Sequence, residues 1–175
     1  MTPTSRRALL SSAVTALICA SLPSFAYSVE PILRSPGGLL ADLGVGSSDP
    51  DAKALRSLLS DVLSPKVFAI LREEAQKAQL AVPVVKESRE LAEAPNHSIL
   101  YVRMRLDIKT TVVADERQVI GAAGMKFQRK GYEALQAALP LSLFLAPEEE
   151  LATKAEAAIR EQFAGLVNGM QKTRL

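Results

Sequence analysis

One histidine, His97, and one cysteine, Cys19, are all that the 175 residues offer of the two side chains that most often do chemistry near neutral pH. A general base or metal ligand at His97 needs partners that only carboxylates could supply, and Pro95-Asn96 place it in a loop entering an apolar strand. The carboxylates do not make up the deficit. Glu148, Glu149 and Glu150 stand at consecutive positions, which point about 100° apart on a helix and do not converge on one ion. Asp107, Asp115 and Glu116 would make a hydrolytic pair only if one were buried with a raised pKa, and acids in turns usually serve turn geometry. The sequence has no nucleophile elbow with a Ser-His-Asp set, no phosphate loop and no dinucleotide fingerprint. The expectation is a chain with no catalytic residue, no metal and no cofactor.

The spacing that does suggest chemistry is cationic. Tyr101, Arg103, Arg105 and Lys109 occupy odd positions of one stretch, and Lys126 and Lys130 even positions of the next. On two paired strands they would form one stripe, fit to dock an acidic envelope protein or an anionic lipid headgroup. The competing account is a solvated sheet face neutralised by Asp107, salt and helix carboxylates, as charge runs commonly are.

The elements that must position these residues are legible. From Leu100 to Ile108, Leu100, Val102, Met104, Leu106 and Ile108 alternate with polar residues, the period of a half-buried strand. Val119, Gly121, Ala123, Met125 and Phe127 continue the pattern after Asp115-Glu116. A turn centred on that pair sets Ile108 opposite Ala123, Leu106 opposite Met125 and Met104 opposite Phe127, with both apolar sets on one face. It also sets Arg105 opposite Lys126, Arg103 opposite Gln128 and Tyr101 opposite Lys130. A further strand is expected at Leu139–Leu145, apolar on both faces, with Pro140 near its start or at an edge.

Helices frame these strands. Leu55, Leu58, Leu59 and Val62 follow a cap at Ser48 or Asp49, and Ser64-Pro65 stop or bend that helix and start another that runs to about Gln79. Pro147 opens the longest helix, its three glutamates beside the positive end of the dipole. Leu151, Ala155, Ile159, Phe163, Leu166, Val167 and Met170 form its apolar stripe. Val82-Pro83-Val84-Val85 reads as a short strand at an edge, and residues 88–95 as a short helix or loop. Residues 27–50, interrupted by Pro31, Pro36-Gly37-Gly38 and Gly44-Val45-Gly46, read as an extended leader in which Val29 to Leu33 could add one strand.

Residues 1–26 have the three parts of an export signal: Arg6 and Arg7, an apolar run from Ala8 to Leu22, and the small residues Ser24 and Ala26 at −3 and −1 of a cleavage site. Ser5-Arg6-Arg7-Ala8-Leu9-Leu10 fits the twin-arginine pattern in part, and the general secretory route is equally open. The apolar run is shorter than a membrane span and breaks at Pro23. Removing 26 of the 175 residues leaves 149, enough for one domain. The sole cysteine leaves with the signal, so disulfides and thiolate sites are excluded from the mature chain. Of 21 Lys+Arg against 19 Asp+Glu, Arg6 and Arg7 also leave, which balances the charge at 19 against 19 and disfavours nucleic acid.

The order of helix, strand, hairpin, strand and closing helix over roughly Lys53 to Gln171 resembles the small α+β domains of bacterial cell-envelope proteins. Examples are the auxiliary component of ABC transport systems and the N-terminal domain of the Tol-system propeller protein. The most recognisable piece is Ser98 to Leu106, a strand entered from a loop after an edge segment. No catalytic or ligand-binding residue is carried over, because similar folds host unrelated functions.

The expected fold is thus a single α+β domain over 51–175: an antiparallel sheet of three to five strands packed against amphipathic helices, including a long C-terminal one. The expected function is that of a non-catalytic accessory or adaptor protein of the periplasm or exterior, acting by surface contact. The alternative is a carrier of a small apolar ligand lodged between sheet and helices, lined by Met104, Met125, Phe127 and Phe163.

Overall fold

The computed structural model describes residues 32–86, 98–129 and 136–173; Arg6, Arg7, Ser24 and Ala26, read from the sequence as parts of an export signal, together with His97, Lys130 and the segment 88–95, lie outside them. The architecture is the expected α+β one, a mostly antiparallel sheet carrying two long helices. The described strands are β1 (Gly38–Gly46), β2 (Val84–Val85), β3 (Ile99–Val113), β4 (Glu116–Arg129), β5 (Gln136–Ala138) and β6 (Ser142–Ala146). The helices are α1 (Lys53–Lys77) and α2 (Leu151–Lys172). The sheet order is β2-β1-β3-β4-β5, with β6 also paired to β4. Because β5 and β6 share one flank of β4, the sheet is five lanes wide.

The β3–β4 hairpin is its spine. Its turn is the two residues Ala114 and Asp115, both at positive φ (52° and 66°), as in the tight hairpin turns whose twist matches that of their strands. This shifts the register by two residues from the expected one: Met104 pairs with Met125, Leu106 with Ala123, Arg103 with Lys126 and Tyr101 with Gln128. A slip of two leaves every side chain on its original face, so the division into inward and outward residues holds while the partners change.

β1 lies within the stretch read as an extended leader, yet it runs parallel to β3 between β3 and β2. Leu39, Ala41, Leu43 and Val45 turn inward at period two, opposite Leu100, Val102, Met104 and Leu106. Glycines 44 and 46 obscure that alternation in the sequence by leaving the outward positions bare. Ile32 and Leu33 are buried and helical, not extended. At the far end of β1, Asp49 ties the chain down. Its carboxylate accepts from the Thr110 backbone N–H (2.9 Å), the Thr110 hydroxyl and the Asp51 N–H (3.0 Å), joining the β1–α1 connection to β3.

α1 is one continuous helix through Pro65, not two. Pro65 and Asp61 are both exposed, so the Asp61 carbonyl that the proline leaves without a backbone donor is on the solvent side, and the buried stripe on either side holds the helix together despite the proline's cost. Its buried stripe is Leu59, Leu63, Val67, Ile70, Leu71 and Ala75, leaving Leu58 half exposed. α2 buries the whole expected stripe. Arg160 of α2 clamps the helices together, reaching Glu73 (2.7 Å) and Glu74 (3.4 Å) of α1 and Glu156 (3.0 Å) of its own helix. Its guanidinium holds the Glu156 carboxyl below the usual range.

The strand expected at Leu139–Leu145 is interrupted after its start. β5 ends before Pro140 and β6 begins after it, and buried Gln162 of α2 donates to the Pro140 carbonyl (2.7 Å) and the Ser142 hydroxyl (2.8 Å). Proline has no N–H for the ladder, so the lane breaks there and a helix side chain takes up the freed carbonyl. Phe144 of β6 turns inward over Gly121, its direct partner on β4. Met104, Met125, Phe127 and Phe163, expected to line any ligand space, are each no more than 1% exposed and belong to the central core.

Two outcomes follow. A Cβ at Gly121 would overlap the Phe144 ring, so Gly121→Ala should lower stability by ~1–3 kcal/mol in denaturant unfolding. The loss should shrink in a Phe144→Ala background, and strict additivity would contradict the contact. The Thr110 hydrogen bonds hold the Asp49 carboxyl below its ordinary value of 3.8. A depressed carboxyl stabilises the fold above its unfolded pKa and loses that contribution as pH falls through its folded one. Thr110→Val should therefore raise the Asp49 titration point in an NMR pH series. The stability gap between the two proteins should be complete at neutral pH and close on acidification below the ordinary value.

Candidate functional site

The outer face of the sheet, turned away from both helices, collects most of the residues singled out by their spacing. Tyr101, Arg103, Arg105 and Lys109 project from β3 and Lys126 from β4. The face is less cationic than that spacing suggests, because two of the cations are already matched. Arg103 Nε lies 3.3 Å from Asp42 of β1, directly opposite it, and Arg105 Nε lies 2.7 Å from Asp107, two residues along its own strand. The Asp107 carboxylate holds the Arg105 guanidinium above its ordinary pKa. Both pairs are exposed, where such contacts contribute about 0–1 kcal/mol each. The absence of a side chain at Gly46 gives the second pair its room: a Cβ there would meet the Asp107 carboxylate. Lys109 sits close enough to Asp49 for its charge to favour the ionised carboxylate.

Lys126 differs from the two arginines. No ion pair or hydrogen bond engages its ammonium among the described residues. It stands opposite Arg103, like charge beside like, an arrangement that favours a further anion. Around it, Leu40, Asp42, Lys86, Tyr101, Arg103 and Gln128 line a depression of about 450 Å³ that crosses three strands. Its floor is the half-buried Leu40 and Tyr101 and its rim is cationic. Lys86 borders it as well, although its ammonium stands 5.3 Å from the Phe68 ring of α1, a cation–π contact with the helix layer. The structure thus brings Tyr101, Arg103 and Lys126 into one concavity, while Arg105 and Lys109 border a second one toward the hairpin turn. Asp42 and Lys86 were not singled out, because each is distant in sequence from the hairpin and only the parallel pairing of β1 brings the first beside Arg103.

The same face carries an apolar strip at its β6 side: Leu141, Leu143 and Leu145 are 64%, 62% and 49% exposed, and Ile120 of β4 is 45% exposed. The two-sided apolar pattern of 139–145 was the sequence signal for it, and the structure chooses the face: Ser142, Phe144 and Ala146 turn inward and the leucines outward. No three His, Cys, Asp or Glu side chains gather around a possible ion site among the described residues. None of the described helices is long and apolar enough to cross a membrane.

No protein-family model matches the chain, and no curated protein matches its sequence. Several solved bacterial structures share part of its backbone arrangement. The PelC dodecamer from Paraburkholderia phytofirmans is 7% identical, with a TM-score of 0.44 over 77% of this chain and 89% of that one. A minor lipoprotein from Acinetobacter baumannii is 11% identical, with a TM-score of 0.36 over 79% and 88%. Protein XCC0632 from Xanthomonas campestris, of the DUF330 type, is 10% identical, with a TM-score of 0.34 over 81% and 92%. At these identities the likeness concerns the arrangement of helices and strands alone.

Proposed function

We propose that the chain is a non-catalytic accessory or adaptor protein of the bacterial cell envelope, exported behind residues 1–26 and docking an acidic protein partner on the outer face of its sheet. The observation that supports this reading most is the depression around Lys126, where an unpaired ammonium sits beside a paired arginine over an apolar floor. Binding surfaces commonly combine those two elements, a small apolar platform and a few charges placed to orient the partner. The charge balance of the mature chain agrees with it, since a protein without a global field has to select its partner through a local patch.

Crosslinking in intact cells tests the reading with two opposed variants. Lys126→Gln removes the unpaired cation of the depression and should diminish adducts between this chain and its partner. Asp42→Asn releases Arg103 from its counter-charge and should increase them. Both side chains are exposed, so each variant should unfold within about 0.5 kcal/mol of the wild type. Adduct yields that move together, or do not move at all, would contradict docking through charge at this face.

A further inference from the structure

β6 closes one side of the sheet. It pairs with β4 along one edge, and among the described residues nothing pairs with the other. An open edge is a template for another strand, and folded proteins normally protect it with a charged side chain, a proline or a bulge. Ser142-Leu143-Phe144-Leu145-Ala146 contains no charge and no proline. Its outward leucines, with Leu141, form a row that is about half to two-thirds exposed.

We infer that a second copy of this chain docks here, β6 pairing antiparallel with β6 of the copy about a two-fold axis at Leu143, so that two sheets become one. That axis sets Leu143 against Leu143 of the copy and Leu141 against its Leu145, at the roughly 5 Å spacing of directly opposed strand residues. The interface is self-complementary, as an isologous contact must be. Charge favours a copy over the acidic partner of the other patch. The strip holds no cation: Arg105, Asp107 and Lys109 lie on β3, beyond β4, and Lys126 of β4 lies beside Ala138 of β5, outside the stretch that pairs, so two copies bring apolar row to apolar row. Pro140 and Pro147 bracket the strand and lack the N–H that a ladder needs, which confines the pairing to the stretch between them.

Sedimentation velocity over a concentration series, with the chain carrying Cys19→Ser, reads the proposal directly. The wild-type sequence should show a monomer–dimer equilibrium, and Leu143→Lys should raise its dissociation constant by about tenfold or more. Because Leu143 is 62% exposed, its thermal unfolding should stay near that of the unsubstituted chain. Leu143→Cys tests the register without weakening the fold. A residue on the axis meets its own image within disulfide reach, so air oxidation should link the copies covalently, while Leu58→Cys on α1 should give no such product. A monomer at every concentration, a dimer indifferent to Leu143→Lys, or linkage no faster at 143 than at 58 would overturn the inference. So would a monomer that co-sediments with phosphatidylglycerol vesicles and loses them on Leu143→Lys, which would make a lipid surface the occupant.

Discussion

The register of the β3–β4 hairpin governs what every other part of the structure can do. Two residues at positive φ, Ala114 and Asp115, fix it. From that turn, fourteen consecutive residue pairs run without a bulge to Leu100 and Arg129. One side of this ribbon is apolar from Leu100 to Ile108 and from Val119 to Phe127, with Thr110, Arg117 and Arg129 only toward its ends, and it joins the core shared with both helices. The other side must carry whatever the protein shows to its surroundings. β1 extends the same division in parallel, since each of its inward residues faces an inward residue of β3. The burial of Phe127 and Phe163 and the exposure of Lys126 are consequences of one alternation.

Alternation of period two was also what the sequence made most legible. It assigned faces correctly in β3 and β4, and the 3.6-residue stripe of α2 was complete from Leu151 to Met170. Partners were harder, because a slip of two residues buries the same side chains and only the turn conformation distinguishes the registers. Nothing in Ala114-Asp115-Glu116 marks which two residues take positive φ, and alanine is a poor advertisement for it. β1 escaped for a related reason. Its outward positions include Gly44 and Gly46, so the contrast that reveals a half-buried strand is weak there. Pro65 misled in the opposite direction, since the apolar stripe on either side of it, Leu59 and Leu63 before and Val67, Ile70 and Leu71 after, packs as one helix despite the proline's local cost.

The candidate site follows the same split between face and partner. The outward position of Tyr101, Arg103, Arg105, Lys109 and Lys126 could be read from spacing, while their counter-charges could not. Asp42 reaches Arg103 only through a parallel pairing across 61 positions of sequence, and Asp107 neutralises Arg105 along the strand rather than across it. What looked like one stripe of cations is two quiet ion pairs beside two lysines without one, Lys126 and, nearer the turn, Lys109. The apolar strip at β6 was visible as a run of leucines on one side of an amphipathically ambiguous strand. Its outward orientation depends on Phe144 covering Gly121 and on Gln162 receiving the broken lane at Pro140, and both are tertiary facts.

Lys126 is therefore the residue on which the account turns, and its reactivity can be read in place. Brief acylation of intact cells, followed by mass spectrometric comparison with the purified protein, reports the accessibility of each lysine. Lys53 and Lys172, exposed at the ends of the two helices, serve as internal references. Docking on the outer face predicts that Lys126 is modified more slowly in cells than in isolation while Lys53 and Lys172 keep their rates. Equal slowing of all three, or none at Lys126, would contradict it.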